Sequence, residues 1–362
     1  MDGISETKEQ GLVVLSPANR RPIRRVLFVN LTSGVALWEK IKQGIIPSQH
    51  LWGCLELVRM GYEVAIGESL PNFYLHRNAF PHDLRLLKMA RSWLGPDDVL
   101  YCGHNVLYWL PFLKRMGLVR CRIVSLLYAR EPLDFSGVHD GIVALNSAAA
   151  DHSRKLAPKA KVADLGWGVD LSFFPQLPYD PQWFLSCGIT ERDQQTLCSA
   201  AARTSVSIRI ICPGIPAGLN WPANVKIIDG GKGWNTDDKR VTFQELLYQN
   251  YAHCTASLII LNYDPVEYTA VGTTNLIEAM AVGRPVIVTK TGALPSGIDV
   301  EKEGCGLFVP PQNPEALAAA LETLANDPKR AEAMGAAGRR LAEQRYNMDR
   351  YGKDLHALFE SL

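Results

Sequence analysis

Gly272-Thr273-Thr274-Asn275-Leu276-Ile277-Glu278-Ala279-Met280-Ala281-Val282-Gly283, followed by Arg284-Pro285-Val286-Ile287-Val288, decides how this chain is read. The stretch predicts a glycine turn, a short helix, a helix stop and a buried strand. Thr273 or Thr274 can cap the helix. Gly283 stands where a left-handed cap belongs, and Pro285 prevents continuation. At about 100° per residue, Leu276, Ile277, Met280 and Ala281 form one apolar face, while Thr274 and Glu278 share another flank. The first turn then offers backbone N–H groups and hydroxyls, the donor set a bound phosphate needs. One turn further in, Glu278 can accept hydrogen bonds from paired sugar hydroxyls. An ordinary cap and a surface glutamate would give the same spacing, so the rest of the chain must decide.

Working outward, 362 residues at 47% hydrophobic content suffice for a sizeable core and point to two domains. A net charge of +1 argues against a nucleic-acid partner. The local exception is Arg20, Arg21, Arg24 and Arg25, a cluster suited to weak association with an anionic membrane surface or to a solvated tail. No apolar run approaches the ~20 residues of a membrane span, and MDGISETKEQ does not resemble a signal peptide. The 8 cysteines are scattered without a CxxC pair, as expected of buried free thiols in a reducing cytoplasm rather than a metal site.

Residues 1–23 read as a flexible arm. Strands are expected at Val26–Asn30, Tyr62–Ile66, Asp98–Cys102, Arg122–Tyr128, Gly141–Ser147 and Lys161–Leu165, with helices such as Ser48–Met60 and Ala148–Leu156 between them. Proline and aromatic residues from Phe173 to Trp183 suit a connector. A second series follows. Its strands are Trp183–Cys187, Ile208–Cys212, Val225–Ile228, Ala256–Leu261 and Pro285–Thr289, and its helices include Glu191–Ala202, Phe243–Tyr251, Pro314–Ala325 and Lys329–Arg345. The alternation predicts an α/β protein of two Rossmann-like domains facing across a cleft. They would span 24–175 and 176–345, and a C-terminal helix, 346–362, would return to the first domain.

Four stretches carry a family resemblance: NLIEAMAVGRPVIVT; Gly304-Cys305-Gly306-Leu307-Phe308-Val309-Pro310 with Asn313-Pro314-Glu315-Ala316-Leu317; Gly166-Trp167-Gly168-Val169-Asp170 with Phe174; and His139-Asp140-Gly141-Ile142-Val143-Ala144-Leu145-Asn146-Ser147. In order and spacing, over residues 100–345, they resemble the retaining glycosyltransferases of the GT-B fold known as glycosyl transferases group 1. The resemblance implies transfer of a hexose from a nucleoside-diphosphate sugar to an acceptor hydroxyl, with retention of configuration and without a metal or cofactor. It implies that Glu278 binds the donor ribose and that Gly272, Thr273 and Thr274 meet the diphosphate. Gly34 would lie in the first-domain loop that approaches the phosphates, and His104, at a strand end, would contact the transferred sugar.

The chain also departs from the family pattern. The usual first glutamate falls on Ala270, with Glu267 or Asp264 as substitutes. At the first strand of the second domain Gly188 matches, but Ile189 replaces the usual arginine and no lysine follows. Arg192 is the substitute, forking onto phosphate oxygens, and Lys232 is the second candidate. A GT-B epimerase or phosphorylase, or an inactive nucleotide-binding module, is the alternative. A nicotinamide-dependent enzyme is disfavoured because no GxGxxG follows the first strand. The acceptor would be chosen by the loops after residues 30, 66 and 103, with Trp38–His50 and Pro71–Phe80.

Overall fold

A computed structural model describes residues 3–9, 12–18, 20–30, 32–67, 79–103, 110–127, 138–214, 218–231, 241–262, 271–291 and 298–362. The chain divides into two compact units, Met1–Gly166 with Met348–Leu362, and Trp167–Asn347.

The first unit is built on β1 (Ile4–Glu9), β2 (Leu12–Pro17), β3 (Arg25–Val29), β4 (Glu63–Ile66), β5 (Val99–Cys102), β6 (Arg122–Leu127), β7 (Gly141–Ala144) and β8 (Lys161–Asp164). Its helices are α1 (Gly34–Lys42), α2 (Cys54–Met60), α3 (Ala79–Trp93), α4 (Leu110–Arg115) and α5 (Ser147–Leu156). The sheet order is β1-β2-β4-β3-β5-β6-β7-β8, and β3 to β8 run parallel. β5 and β7 are buried at every position, the continuous apolar strand of a sheet covered on both faces.

Two expectations change here. Ile4–Glu9 and Leu12–Pro17 form an antiparallel pair whose second strand also pairs with β4, so about half of the expected flexible arm is sheet. Leu12 to Leu15 are buried, which supplies the reason. The arginine cluster also serves the fold. Arg20 donates to the Arg59 carbonyl at 2.7 Å, Arg24 to the Phe359 carbonyl at 2.5 Å, and Arg25 pairs with Glu63 at 2.9 Å while lying 5.5 Å from the Trp93 ring. Among the described residues no helix is long and apolar enough to cross a membrane.

The expected helix Ser48–Met60 is broken. A 3₁₀ turn, Ser48–Leu51, ends at Trp52 and Gly53, both with positive φ, before α2 begins. A Cβ on Gly53 would meet Leu355 at 2.9 Å, so the break admits the C-terminal helix.

The second unit contains β9 (Trp183–Cys187), β10 (Ile208–Cys212), β11 (Val225–Asp229), β12 (Cys254–Ile259), β13 (Val286–Thr289) and β14 (Gly306–Val309). Around them lie α6 (Gln194–Ala201), α7 (Phe243–Glu245), α8 (Thr273–Ala281), α9 (Pro314–Asn326) and α10 (Pro328–Arg345). Its order, β11-β10-β9-β12-β13-β14, is wholly parallel. The chain winds one way from β9 to β11 and the other way from β12 to β14. β9 and β12 are therefore neighbours at a topological switch point, where the loops leaving their carboxyl ends diverge and leave room for a ligand.

Arg284, fully buried, fixes this unit's frame. Its guanidinium donates to the carbonyls of Tyr251, Leu177, Val282, Gly283, Pro178 and Ala252. That ties the end of α8 to the connector and to the irregular turn before β12. The expected helix Phe243–Tyr251 is there a short α turn, a π turn over Leu246–Asn250 and a 3₁₀ turn over Tyr251–His253. Gly335 of α10 packs so closely on the end of α8 that a Cβ would lie 2.2 Å from the Gly283 carbonyl oxygen.

The last helix, α11 (Met348–Glu360), returns to the first unit as expected. The Tyr62 hydroxyl meets His356 Nδ1 at 2.9 Å and donates to Glu360 at 3.0 Å, and Tyr101 and Tyr351 join hydroxyls at 3.3 Å. All eight cysteines are buried free thiols, as their scatter implied.

Candidate functional site

The site is built at the switch point of the second unit. α8 is buried at every residue except Thr274. Its N-cap is Gly272, at φ 81°, with no side-chain cap. The expected threonine cap is thus absent, because Thr273 and Thr274 are already the first two helical residues. Glycine is required at 272: beyond its φ, a Cβ would meet Ile259 of β12 at 2.7 Å. Among the described residues, the backbone N–H groups of Thr273, Thr274 and Asn275 have no acceptor. Three aligned donors and the positive end of the helix dipole therefore converge on one spot. The Thr273 hydroxyl adds to them: it is fully buried and, among the described residues, has no hydrogen-bond partner. Such a group costs about 1–3 kcal/mol when left unsatisfied.

The loop after β9 forms the opposite wall. Gly188 has φ 115°, and a Cβ there would lie 2.2 Å from Arg192 Nη2 and 2.7 Å from Asn275 Oδ1. That space lets Arg192 reach α8, donating to Asn275 Oδ1 at 2.5 Å. Arg192 also donates through Nε and Nη2 to the Cys187 carbonyl, each at 3.3 Å, and through Nη1 to the Thr190 carbonyl at 2.7 Å. Of five guanidinium N–H groups, four are committed among the described residues and one on Nη1 is not. This corrects the expected bidentate fork onto phosphate. Arg192 instead clamps its own loop to the first turn of α8 and places a positive charge beside the open amides. Burial draws its pKa below the ordinary guanidinium value.

Asn275 was not singled out by the sequence. It donates to Cys187 Sγ at 3.2 Å while accepting from Arg192, and so joins β9, its loop and α8. The available signal was a lone amide in the third position of the helix, directly after two threonines and one turn before Glu278. Cys187 Sγ lies 3.5 Å from the Tyr251 hydroxyl. Burial pushes the Cys187 thiol up to about 11, against the lowering effect of Tyr251. Glu278 is 2% exposed, and its charge further raises both Cys187 and Tyr251.

The structure thus brings together Gly188, Arg192, Gly272, Thr273, Thr274 and Glu278. Gly34 belongs to the first unit. Its N–H donates to the Gly67 carbonyl at 3.1 Å, and a Cβ would strike Ile66 at 2.3 Å, so close packing on the end of β4 accounts for this glycine. His104 and Lys232, with Asp264, Glu267 and Ala270, lie outside the described residues. Gly103, before His104, donates to the Val29 carbonyl at 2.8 Å, so the ends of β3 and β5 adjoin at the first unit's own switch point.

Residues 247–341 match the family model of glycosyl transferases group 1, which covers α8 and its surroundings. Solved structures share the fold over nearly the whole chain. Sucrose-phosphate synthase from Thermosynechococcus elongatus aligns with a TM-score of 0.67 at 14% identity, over 93% of this chain and 99% of its own. A glycosyltransferase from Rickettsia africae gives 0.67 at 12% identity, over 94% and 99%. Anabaena HepE in complex with UDP-glucose gives 0.61 at 16% identity, over 93% and 100%. No curated protein sequence matches the chain. The fold is that of GT-B glycosyltransferases, with an α/β architecture of two parallel-sheet domains.

Proposed function

We propose that this chain is a nucleoside-diphosphate-sugar-dependent glycosyltransferase that moves a hexose to an acceptor hydroxyl with retention of configuration. The observation that carries the reading is the uncapped start of α8 at the switch point, with the unpartnered Thr273 hydroxyl among its open amides. A diphosphate there would accept from the amides of Thr273, Thr274 and Asn275, with the ribose hydroxyls donating to Glu278. UDP is the first nucleotide to test, because the Anabaena HepE structure holds UDP-glucose and the Burkholderia xenovorans trehalose-phosphate synthase is described as UDP-forming.

In this reading the sugar–phosphate bond breaks with oxocarbenium character, and negative charge grows on the departing diphosphate. Fixed amides and the helix dipole stabilise that charge without reorganising. The acceptor hydroxyl attacks from the leaving group's own face, and the departing phosphate oxygen takes its proton. Arg192 is a positioning residue that holds the amide-bearing turn and contributes its charge from behind. His104 remains the proposed contact to the transferred sugar and Lys232 a second phosphate cation. Since dipole and cations provide the neutralisation, turnover should persist in EDTA. Eight buried free thiols fit a cytoplasmic enzyme.

The test is a thermal-shift screen of nucleotides and nucleotide sugars, followed by Glu278→Ala. Unchanged nucleotide affinity in that variant would refute the ribose assignment. The committed donors of Arg192 favour one rival, a nucleotide-binding module without activity. Tight nucleotide binding with no turnover across a broad acceptor panel would select it. Donor consumption without any acceptor would instead select an epimerase or phosphorylase.

A further inference from the structure

We propose that the first unit carries a separate binding site for a phosphate-bearing ligand with at least two negative charges, in a pocket at the N-terminal edge of β6, β7 and β8. The pocket has a volume of about 380 Å³, within the range of small-ligand sites, and is lined by Lys114, Arg115, Arg122, Lys159 and Lys161, with Asp140 just before β7 and the terminal residues Ser361 and Leu362. Ligands of open α/β sheets gather at the carboxyl ends of strands. This hollow lies at the opposite ends, where Arg122 begins β6, Gly141 begins β7 and Lys161 begins β8.

The charge does not balance locally. Asp140 is already satisfied: it is paired with Lys114, accepts from the Ile123 N–H at 2.7 Å and meets Arg122 Nη1 at 3.4 Å. Among the described residues, Arg115, Lys159 and Lys161 have no carboxylate within ion-pairing distance. Among the described residues, Arg122 Nε is buried without an acceptor, and the one side-chain hydrogen bond of Arg122 is the long one to Asp140. Five cations, set against the partnered Asp140 and the terminal carboxylate of Leu362, leave a net positive charge and repel one another in the free protein. A ligand with several anionic oxygens relieves that repulsion and suits three lysine point charges beside a guanidinium fork. A single carboxylate would match fewer of these donors. Next to Lys114 and Arg115 in sequence, Phe112, Met116 and Leu118 are exposed, so the phosphate may be free or borne by a lipid, and the test separates the two sources.

The full chain is titrated with inorganic pyrophosphate at low salt by calorimetry, and mixed in sedimentation assays with vesicles of neutral lipid alone or with phosphatidic acid. Wild type is compared with K159E/K161E, whose altered side chains are exposed and should leave folding intact by circular dichroism, and with R192Q, which alters the other unit. Pyrophosphate affinity that falls at least about tenfold in K159E/K161E and survives in R192Q supports the site with a soluble ligand. Sedimentation with phosphatidic acid vesicles that K159E/K161E abolishes, without pyrophosphate binding, supports it with a lipid headgroup. Pyrophosphate binding lost only in R192Q, or no dependence of either readout on the two lysines, overturns the inference. Because the difference between wild type and K159E/K161E reports on the first unit alone, failure of the donor-site reading would leave this result unaffected.

Discussion

Replacing Thr273 by valine should move stability and affinity in opposite directions. Valine keeps the β-branched shape and exchanges the hydroxyl for a methyl at a position that is 0% exposed and buries an oxygen without a partner. In the free protein an unsatisfied buried hydroxyl costs about 1–3 kcal/mol. Removing it should stabilise the fold by about 1 kcal/mol, the lower end because the new methyl still has to fit. With the diphosphate bound, the same hydroxyl donates to a charged oxygen, an interaction worth about 1.5–3 kcal/mol. The variant should therefore bind UDP roughly 10- to 100-fold more weakly. Urea unfolding gives the first number and calorimetric titration the second. A variant that is less stable and binds UDP as tightly as wild type would refute both the unsatisfied hydroxyl and its role as a ligand donor.

Further outcomes follow from the same contacts. Gly335→Ala should destabilise by about 3 kcal/mol in urea unfolding, although alanine is normally the better helix former by about 1 kcal/mol, because its Cβ would lie 2.2 Å from the Gly283 carbonyl oxygen. Arg284→Met should cost about 3–5 kcal/mol, since it strands buried carbonyls that the guanidinium now satisfies; a loss below about 1 kcal/mol would show that the frame does not depend on it. Gly188→Ala should displace Arg192 from Asn275 and weaken UDP binding more than it lowers the melting temperature. His50 is half-buried with its Nε2 enclosed, and desolvation pulls its pKa from 6.5 to about 4. The unfolded chain then binds the extra proton as pH falls from 6.5 towards 4, and stability declines by up to about 3 kcal/mol over that window. His50→Gln should flatten this part of the acid limb, and an unchanged slope would contradict the burial of a neutral imidazole.

Much of the architecture was legible because parallel strands buried on both faces leave plain apolar runs, as at Val26–Val29 and Trp183–Cys187, separated by helical spacing. The antiparallel pair of Ile4–Glu9 and Leu12–Pro17 was not, because ISETKE exposes nearly every side chain and resembles a solvated tail. Gly272, Thr274 and Glu278 could be assigned to one helix from their spacing, but the absence of a threonine cap could not. It depends on a backbone that turns left-handed at Gly272 to clear Ile259, a contact made across the sheet. Arg192 was visible as a cation near the right strand. Its committed donors were not, since they depend on Gly188 leaving the guanidinium room and on Asn275 lying opposite. Arg284 stood in plain view within GRPV, yet nothing local distinguishes a guanidinium enclosed by carbonyls from one in solvent.

The most direct measurement is a structure of the full chain with UDP. The account predicts diphosphate oxygens within about 3 Å of the backbone nitrogens of Thr273, Thr274 and Asn275, with the Thr273 hydroxyl now donating and the ribose hydroxyls on Glu278. UDP bound elsewhere, with the start of α8 empty, would contradict it.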